Sequence, residues 1–274
     1  MCVYKNDIPS FFREAYKTAL NQTLVPTEFV LVVDGPIDSC LAVEIKHLQE
    51  LCTKESITFN RIDFEVNKGH GEARKAGVLG CKCKYVAIFD ADDIYDNTRL
   101  KQQYDYLEAN PEISIVGSQI VEVDSKTLAP IGRRVLPVEH DDIMKTMKIK
   151  CPINQMTVMF IREAVLNVGN YQTFFHNEDY YLWIRLAIGG YRFHNLDKDL
   201  VRARVNPFFY RRRGGLEYFL SELRIQRFLL ENNLIPLPLF IFNVFIRFFI
   251  QVLLPEKFRS TLFKLFFRKK VVCA

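Results

Sequence analysis

The chain has 274 residues, 49% of them apolar and 25% charged, enough for one large α/β domain, or a domain plus an appendage, around a packed core. Its seven cysteines are odd in number and scattered without paired zinc-ligand spacing, so neither a disulfide framework nor a zinc module is expected, and the chain reads as cytoplasmic and reduced. The opening "MCVYKNDIPSFFREA" lacks the basic start and apolar run of a secretion signal.

Taken in order, the first two-thirds alternate helix-like and strand-like segments. "DIPSFFREAYKTALNQT" carries Phe12, Ala15, Ala19 and Leu20 at helical spacing, with Asp7 or Ser10 as its cap. "EFVLVVDG" is a short apolar run of the kind that forms a buried parallel strand. "LAVEIKHLQELC" is helical, "ITFNRIDFEV" is β-rich, and "GEARKAGVLG" is a short helix opened by Gly69 and Gly71. "YVAIFD" is another buried strand, and "NTRLKQQYDYLEANP" a helix that stops before Pro111. The alternation predicts an α/β fold, a mostly parallel sheet flanked by helices. From Ile113 the pattern becomes mixed: "ISIVGSQIVEVD", "IGRRVLP" and "MTVMFI" read as strands, and "NEDYYLWIRLAIGG" as a helix beginning at an acidic pair.

Ligands bind such sheets at the carboxyl ends of the strands. Three polar endings fall there: Asp34-Gly35, the "NKGHGEAR" turn, and the cluster Asp90, Asp92 and Asp93. Like charges this close repel and raise one another's proton affinity, so a cation is expected among them. Mg²⁺ takes one or two carboxylates and completes its shell with water and phosphate oxygens, which makes Asp90 and Asp92 a place to hold a metal–diphosphate. A capping role accounts for one Asp, such as Asp96, but not for three in four residues. "NKGHGEARKAG" opens a helix whose first turns carry Arg74: either an anion site at a helix start or an ordinary glycine turn with a surface Arg. Glu178 and Asp179 at a helix N-terminus read equally as caps or as proton acceptors in a cleft.

The tail differs from the rest. From Pro207 to Ala274 there are 12 Lys and Arg against 4 Asp and Glu, which leaves 25 against 28 in residues 1–206. "LIPLPLFIFNVFIRFFIQVLL" (234–254) has a spanning length, but Pro236 and Pro238 break its start, and Arg247 mid-stretch costs roughly 2.5–3.5 kcal/mol on insertion. Asn243, Arg247 and Gln251, four apart, make one polar stripe on an apolar helix, which suits a helix lying in the membrane interface. A hairpin packed on its own domain or on a partner subunit is the plainer alternative. Lys257, Arg259, Lys264, Arg268, Lys269 and Lys270 follow among Phe and Leu, fitted to anionic headgroups. No nucleic-acid recognition motif is visible, and no nucleic-acid partner is expected.

The ordered set "VYKND", "LVVDGP", "NKGHGEARKAG", "FDADDIYDNTRL", "NQMTVMF", "NEDYYLWIRL" and "RRRGG" resembles family 2 glycosyltransferases of the GT-A fold, over roughly Val3 to Gly215. The "DGP" and "RRRGG" variants look most like bacterial capsule or exopolysaccharide transferases of the amylovoran type. The resemblance implies a metal-dependent inverting transferase. It would move a sugar from a nucleotide-sugar donor, most commonly a UDP-sugar, to a saccharide acceptor. Tyr4, Asp34 and Arg74 would cradle the nucleotide base. Asp90 would contact the ribose or metal-bound water, and Asp92 would coordinate Mg²⁺ or Mn²⁺ on the diphosphate. Asp179 would be the catalytic base, Glu178 would position the acceptor, and Arg211, Arg212 and Arg213 would lie in a loop closing near the phosphates. The amphipathic tail adds a lipid-linked acceptor and peripheral attachment to the inner face of the cell membrane. The expected organisation is a transferase domain over 1–215, with a nucleotide half (1–112) and an acceptor half (113–215), then a helical basic region over 216–274.

The sequence departs from the family pattern in three places. The family's first strand carries several more apolar residues where this sequence has Met1, Cys2 and Val3; a shortened central strand leaves its neighbours unpaired. Val33 stands where relatives often carry Asp, and Gln155 where they often carry His. Two other readings compete: a catalytically impaired membrane-surface module, favoured by the short first strand, and a haloacid-dehalogenase-type phosphatase, which shares the Asp-x-Asp but opens its domain with it.

Overall fold

A computed structural model describes residues 1–205 and 214–254. The first half forms β1 (Cys2–Val3), α1 (Pro9–Leu20), β2 (Glu28–Val33), α2 (Ser39–Lys54), β3 (Thr58–Asp63), α3 (His70–Gly80), β4 (Tyr85–Ala87), β5 (Ile94–Tyr95) and α4 (Arg99–Ala109). The second half forms β6 (Ile113–Asp124), β7 (Pro130–Arg134), α5 (His140–Met147), β8 (Met159–Ile161), α6 (Arg162–Asn167), α7 (Glu178–Ile188), β9 (Arg192–Val205), α8 (Leu216–Glu231) and α9 (Leu237–Phe248). Helix α1 buries Phe12, Ala15, Tyr16 and Ala19, the face that helical spacing predicts. Neither Asp7 nor Ser10 caps it. Ile8 holds the cap position ahead of Pro9, and Asp7 instead accepts the backbone N–H of Tyr4 at 2.9 Å.

Strands β1, β2 and β3 pair in parallel in that order. A second sheet runs β4-β8-β6-β9-β5, with β7 also on β6. Its one parallel pair is the long β6–β9 ladder, and its other pairs are antiparallel. No strand is read from residues 192–205 in the sequence, where Asp197, Lys198 and Asp199 interrupt the alternation. Yet β9 forms there because β6 on one side and β5 on the other satisfy its backbone.

Strand β1 matches β2 only at Cys2–Val32 and Val3–Val33, and β4 pairs only with β8. Between β2 and β4 lies an apolar cavity of about 420 Å³, lined by Met1, Phe29, Val30, Val86, Ile88 and Met159 among others, whose lining also includes Arg74 and Asp90. The unpaired edges expected from a short first strand are these.

At the other end, α8 sinks Ile225 and Leu229 into the apolar cluster that holds Phe160, Trp183 and Phe193. Helix α9 then packs with its polar stripe inward, against the protein. Asn243, 3% exposed, donates to the Lys148 carbonyl (3.0 Å) and to Gln226 (2.9 Å), and Arg247 pairs with Glu222 (2.8 Å). The reason is spacing: Glu222 and Gln226 on α8 are also four apart, so two polar rows meet and satisfy each other. The apolar side of α9 is left outward, with Phe242, Phe245 (67% exposed) and Phe249 in the open. Among the described residues no helix is long and apolar enough to cross a membrane.

Candidate active site

The acidic cluster lies in the turn between β4 and β5, and buried side chains fix its backbone. The Tyr95 hydroxyl donates to the Asp90 carbonyl (2.9 Å) and accepts from the Asp90 N–H (2.5 Å). Arg204 on β9 donates from its side chain to the Asp92 carbonyl (2.5 Å) and from its backbone to Asp93 (2.9 Å). Arg99, fully buried, donates to the carbonyls of Ile88 (2.8 Å) and Val158 (3.2 Å), which ties the end of β4 to the approach to β8. Burial, and then the charges of Asp92 and Asp90, push the Asp93 carboxyl well above the usual range, so Asp93 is a structural acid. Asp92 is exposed, and the Asp90 side chain is partly so.

Asp7 completes the acidic neighbourhood. Burial pushes its carboxyl up to about 7, and Asp92 and Asp90 add to the shift. A local field this negative suits a divalent cation. Among the described residues no three His, Cys, Asp or Glu side chains form a cluster able to hold a metal ion. Asp90 and Asp92, two carboxylates on one turn, fit a cation that takes the rest of its shell from water and a ligand's oxygens.

The second strand end is built around Asp34. Both its carboxylate oxygens are engaged: Lys68 N–H donates to one (2.6 Å), and Gly69 N–H and Asn67 Nδ2 donate to the other (both 2.9 Å). Gly35 permits this close approach, since its φ is +89° and a Cβ there would lie 2.6 Å from the Asn67 nitrogen. Beside this turn, Cys2, Tyr4, Asp34, Gly69, His70 and Ala73 line a concavity of about 100 Å³. Tyr4 and His70 meet edge-to-face across it, at 6.1 Å between ring centroids. Burial, and then Arg74, lower the proton affinity of His70.

The third element is the start of α7. Arg74 on α3, nearly buried, pairs with Glu178 (2.9 Å) and lies 3.4 Å from Asp90. One guanidinium thus joins the acid turn to the α7 N-terminus. Asp179 is placed next to that bridge and accepts the Tyr180 N–H at 2.7 Å. Burial, and then the Glu178 charge, push its carboxyl up to about 6, against the lowering influence of Arg74. Gln155 is buried and donates to the Tyr171 hydroxyl at 2.7 Å.

Of the residues read from sequence, Asp90 and Glu178 meet at Arg74, with Asp179 next to Glu178 on α7 and Asp92 on the same turn as Asp90. Tyr4 and Asp34 line the adjoining concavity. Arg211, Arg212 and Arg213 lie outside the described residues. Sequence reading missed Asp7, His70, Tyr95, Arg99 and Arg204. Asp7, His70, Tyr95 and Arg99 lie inside quoted motifs without being singled out as site residues, whereas Arg204 sits on the strand that alternation did not show.

The chain belongs to glycosyl transferase family 2, whose family description matches residues 1–169. It is 31% identical over 225 residues to the amylovoran biosynthesis glycosyltransferase AmsE of Erwinia amylovora, which covers 82% of each chain. It is 29% identical over 269 residues, 98% of this chain and 95% of the other, to the UDP-Gal:alpha-D-GlcNAc-diphosphoundecaprenol beta-1,3-galactosyltransferase of Escherichia coli. In structure it resembles a mannosyltransferase from Pyrobaculum calidifontis in complex with GDP-Man and Mn²⁺, with a TM-score of 0.64 and 14% identity over 92% of this chain and 69% of that one. The fold is the GT-A fold, and the class is a glycosyltransferase.

Proposed function

We propose that this chain is a metal-dependent, inverting transferase. It moves a sugar from a nucleotide-sugar donor, a UDP-sugar in the first instance, to a hydroxyl of a lipid-linked saccharide in surface polysaccharide assembly, of the capsule or exopolysaccharide kind. The observation that carries this reading is the Arg74 bridge, which holds the acid turn and the α7 carboxylates in one cleft with Asp179 raised to about 6. The base stacks at Tyr4 and His70. Asp34 keeps the 67–69 turn in shape beneath it, and Asp90 and Asp92 hold Mg²⁺ or Mn²⁺ with the diphosphate. Bound there, the metal offsets charge on the departing nucleoside diphosphate.

Asp179 is mostly ionised at pH 7 yet basic enough to take a proton from the acceptor hydroxyl. The hydroxyl oxygen attacks the anomeric carbon as the carbon–phosphate-oxygen bond breaks on the opposite side. One displacement inverts the centre, so no nucleophilic carboxylate is needed. Arg74 holds Glu178 in place beside it. Residues 1–215 form the transferase unit, and 216–274 the attachment region.

The membrane part of the reading rests on the outward apolar face of α9 and on the basic residues after it, and the E. coli relative, by its name, uses a diphosphoundecaprenol-linked acceptor. An interface helix with this orientation dips its Phe side chains into the acyl boundary while the protein satisfies its polar row.

The test is a binding and hydrolysis screen of UDP-, GDP- and dTDP-sugars with Mn²⁺, Mg²⁺ or EDTA, with Asp92→Ala alongside. One donor should bind only with metal, and Asp92→Ala should lose at least tenfold. Donor binding indifferent to both EDTA and Asp92→Ala would remove the metal from the proposal. No donor bound at all would remove the transferase and favour a membrane-surface module.

A further inference from the structure

We propose that Phe175 and His176 form the subsite on which the acceptor's sugar ring stacks. This rests on the transferase reading above and adds the two residues that seat the acceptor beside the base.

The placement comes from contacts at both ends of one short loop. The Asn170 amide donates to the Lys75 carbonyl (3.1 Å), and the Thr173 hydroxyl donates to Glu72 (3.0 Å). A Cβ on Gly71 would lie 3.3 Å from the backbone of Gln172 and of Thr173, so the loop runs against the start of α3. The chain returns to α3 at Glu178, which pairs with Arg74 at 2.9 Å. Only residues 174–177 lie between the anchor at Glu72 and the anchor at Arg74. They form a tight turn, in which the Asn177 N–H donates to the Phe174 carbonyl at 3.3 Å. Phe175 and His176 are its tip.

Helix α8 holds the turn from the other side. The buried Ser221 hydroxyl donates to the Phe175 carbonyl and accepts from the buried Asn177 amide (3.0 Å). The backbone of the turn is thus tied into the protein while both tip side chains stay exposed, Phe175 to 46%. Their rings meet edge-to-face at 4.1 Å between centroids.

His176 has a φ of +56°. At the third position of a tight turn a positive φ ordinarily falls to glycine or asparagine, and a larger side chain there is strained. A turn that served only to reverse the chain would do so better with glycine. Here the strained position carries an imidazole beside a phenyl ring, three residues ahead of the proposed base, at most roughly 11 Å of extended chain away.

The two tip side chains suit a pyranose. The face of an aromatic ring is negative, and the C–H groups on a pyranose face turn slightly positive hydrogens towards it. Imidazole nitrogens hydrogen-bond hydroxyls at the edge of such a ring. A sugar seated on this turn lies beside the Arg74 junction and offers a hydroxyl to Asp179. The donor's base has its own ring pair at Tyr4 and His70.

The probes are octyl β-glucoside, octyl β-galactoside and octyl β-N-acetylglucosaminide below their micelle concentrations, with octanol as the control for the alkyl chain. Saturation-transfer NMR measures their binding to the full chain with UDP and Mn²⁺. At least one glycoside should bind more tightly than octanol, with saturation passing from aromatic protons to the sugar ring. Phe175→Ala should weaken that glycoside about fivefold to tenfold, and Phe175→Trp should hold it within about twofold of wild type. Melting temperature and UDP–Mn²⁺ binding should stay unchanged in both. His176→Gly should melt no earlier than wild type and yet bind the glycoside about threefold or more weakly, a combination that a purely structural turn residue would not give. In transfer assays both Phe175→Ala and His176→Gly should raise KM for the acceptor and leave KM for the donor alone. If Phe175→Ala melts early, His176→Gly decides the matter. Unchanged glycoside binding in Phe175→Ala and His176→Gly would overturn the subsite. So would a wild type that binds UDP–Mn²⁺ but prefers no glycoside to octanol. Loss of UDP–Mn²⁺ binding in Phe175→Ala would also overturn it, since the rings would then belong to the donor site. Failure of the transferase reading would appear separately, as absent UDP–Mn²⁺ binding in the wild type.

Discussion

Two acidic places meet at the Arg74 guanidinium, and they are built differently. In the turn after β4, the protein fixes the backbone with Tyr95, Arg99 and Arg204 and leaves the Asp92 carboxylate in the open. At the start of α7, one carboxylate is neutralised by Arg74 and the other is pushed towards neutrality. The first arrangement gathers negative charge at an exposed turn, as a cation site does. The second spends an internal cation on Glu178 so that Asp179 keeps a tunable proton. The difference teaches which acid binds and which reacts: a ligand site tolerates an exposed charge, and a base needs a shifted one.

The largest effect that can break this distinction is at Asp179. Asp179→Asn should leave donor binding intact and lower transfer by about 10²–10⁴-fold, the range for removing a general base. In the wild type, transfer must rise with pH as Asp179 loses its proton, so the acid limb of kcat should fall near pH 6. Steady-state kinetics across pH 5–8 check both. Near-normal turnover in the variant would merge the two acidic places into one binding site.

Arg74 comes next, because it touches both sides. Arg74→Gln leaves Asp90 and Glu178 without their shared cation. Breaking a buried pair this way costs about 3–5 kcal/mol, visible in thermal melting. Arg74 lowers the proton affinity of Asp179, so in Arg74→Gln the acid limb of kcat should also move to higher pH. A melt shift with an unmoved limb would make Arg74 a staple and nothing more.

Much of this site was legible in the sequence, and the missing part has a physical cause. Polar residues at the ends of apolar runs pointed to Asp34, Asp90 and Asp92, and the start of a helix pointed to Asp179, because strand ends and helix starts are local signals. What joined them was not local. Arg74 and Glu178 are 104 residues apart, and neither motif announces the other. Asp34 illustrates the opposite limit: it was read as a nucleotide contact, but both oxygens serve the 67–69 turn, a fact that only the fold contains. The stripe of Asn243, Arg247 and Gln251 was also correctly read as one face. Its direction depended on Glu222 and Gln226 of another helix, so period alone could not orient it.

The smallest effect sharpens the acid turn itself. Asp7 titrates at about 7 in the folded chain against about 3.8 when unfolded, so the folded state holds the proton more tightly. Its contribution to stability is complete below pH 3.8 and is lost as pH rises through 7, where a buried anion remains beside Asp92 and Asp90. Asp7→Asn keeps an oxygen for the Tyr4 N–H and removes the titration. At pH 8 the variant should be more stable by about 1–2 kcal/mol, with the gain shrinking towards zero near pH 4. Saturating donor and Mn²⁺ should narrow the gap at pH 8, since the cation relieves in the wild type the repulsion that the substitution removes. Urea melts at the two pH values, with and without ligand, make the comparison. A gain that ignores pH would mean that Asp7 lies outside the field of the acid turn, and the negative neighbourhood that calls for a cation would then reduce to Asp90 and Asp92 alone.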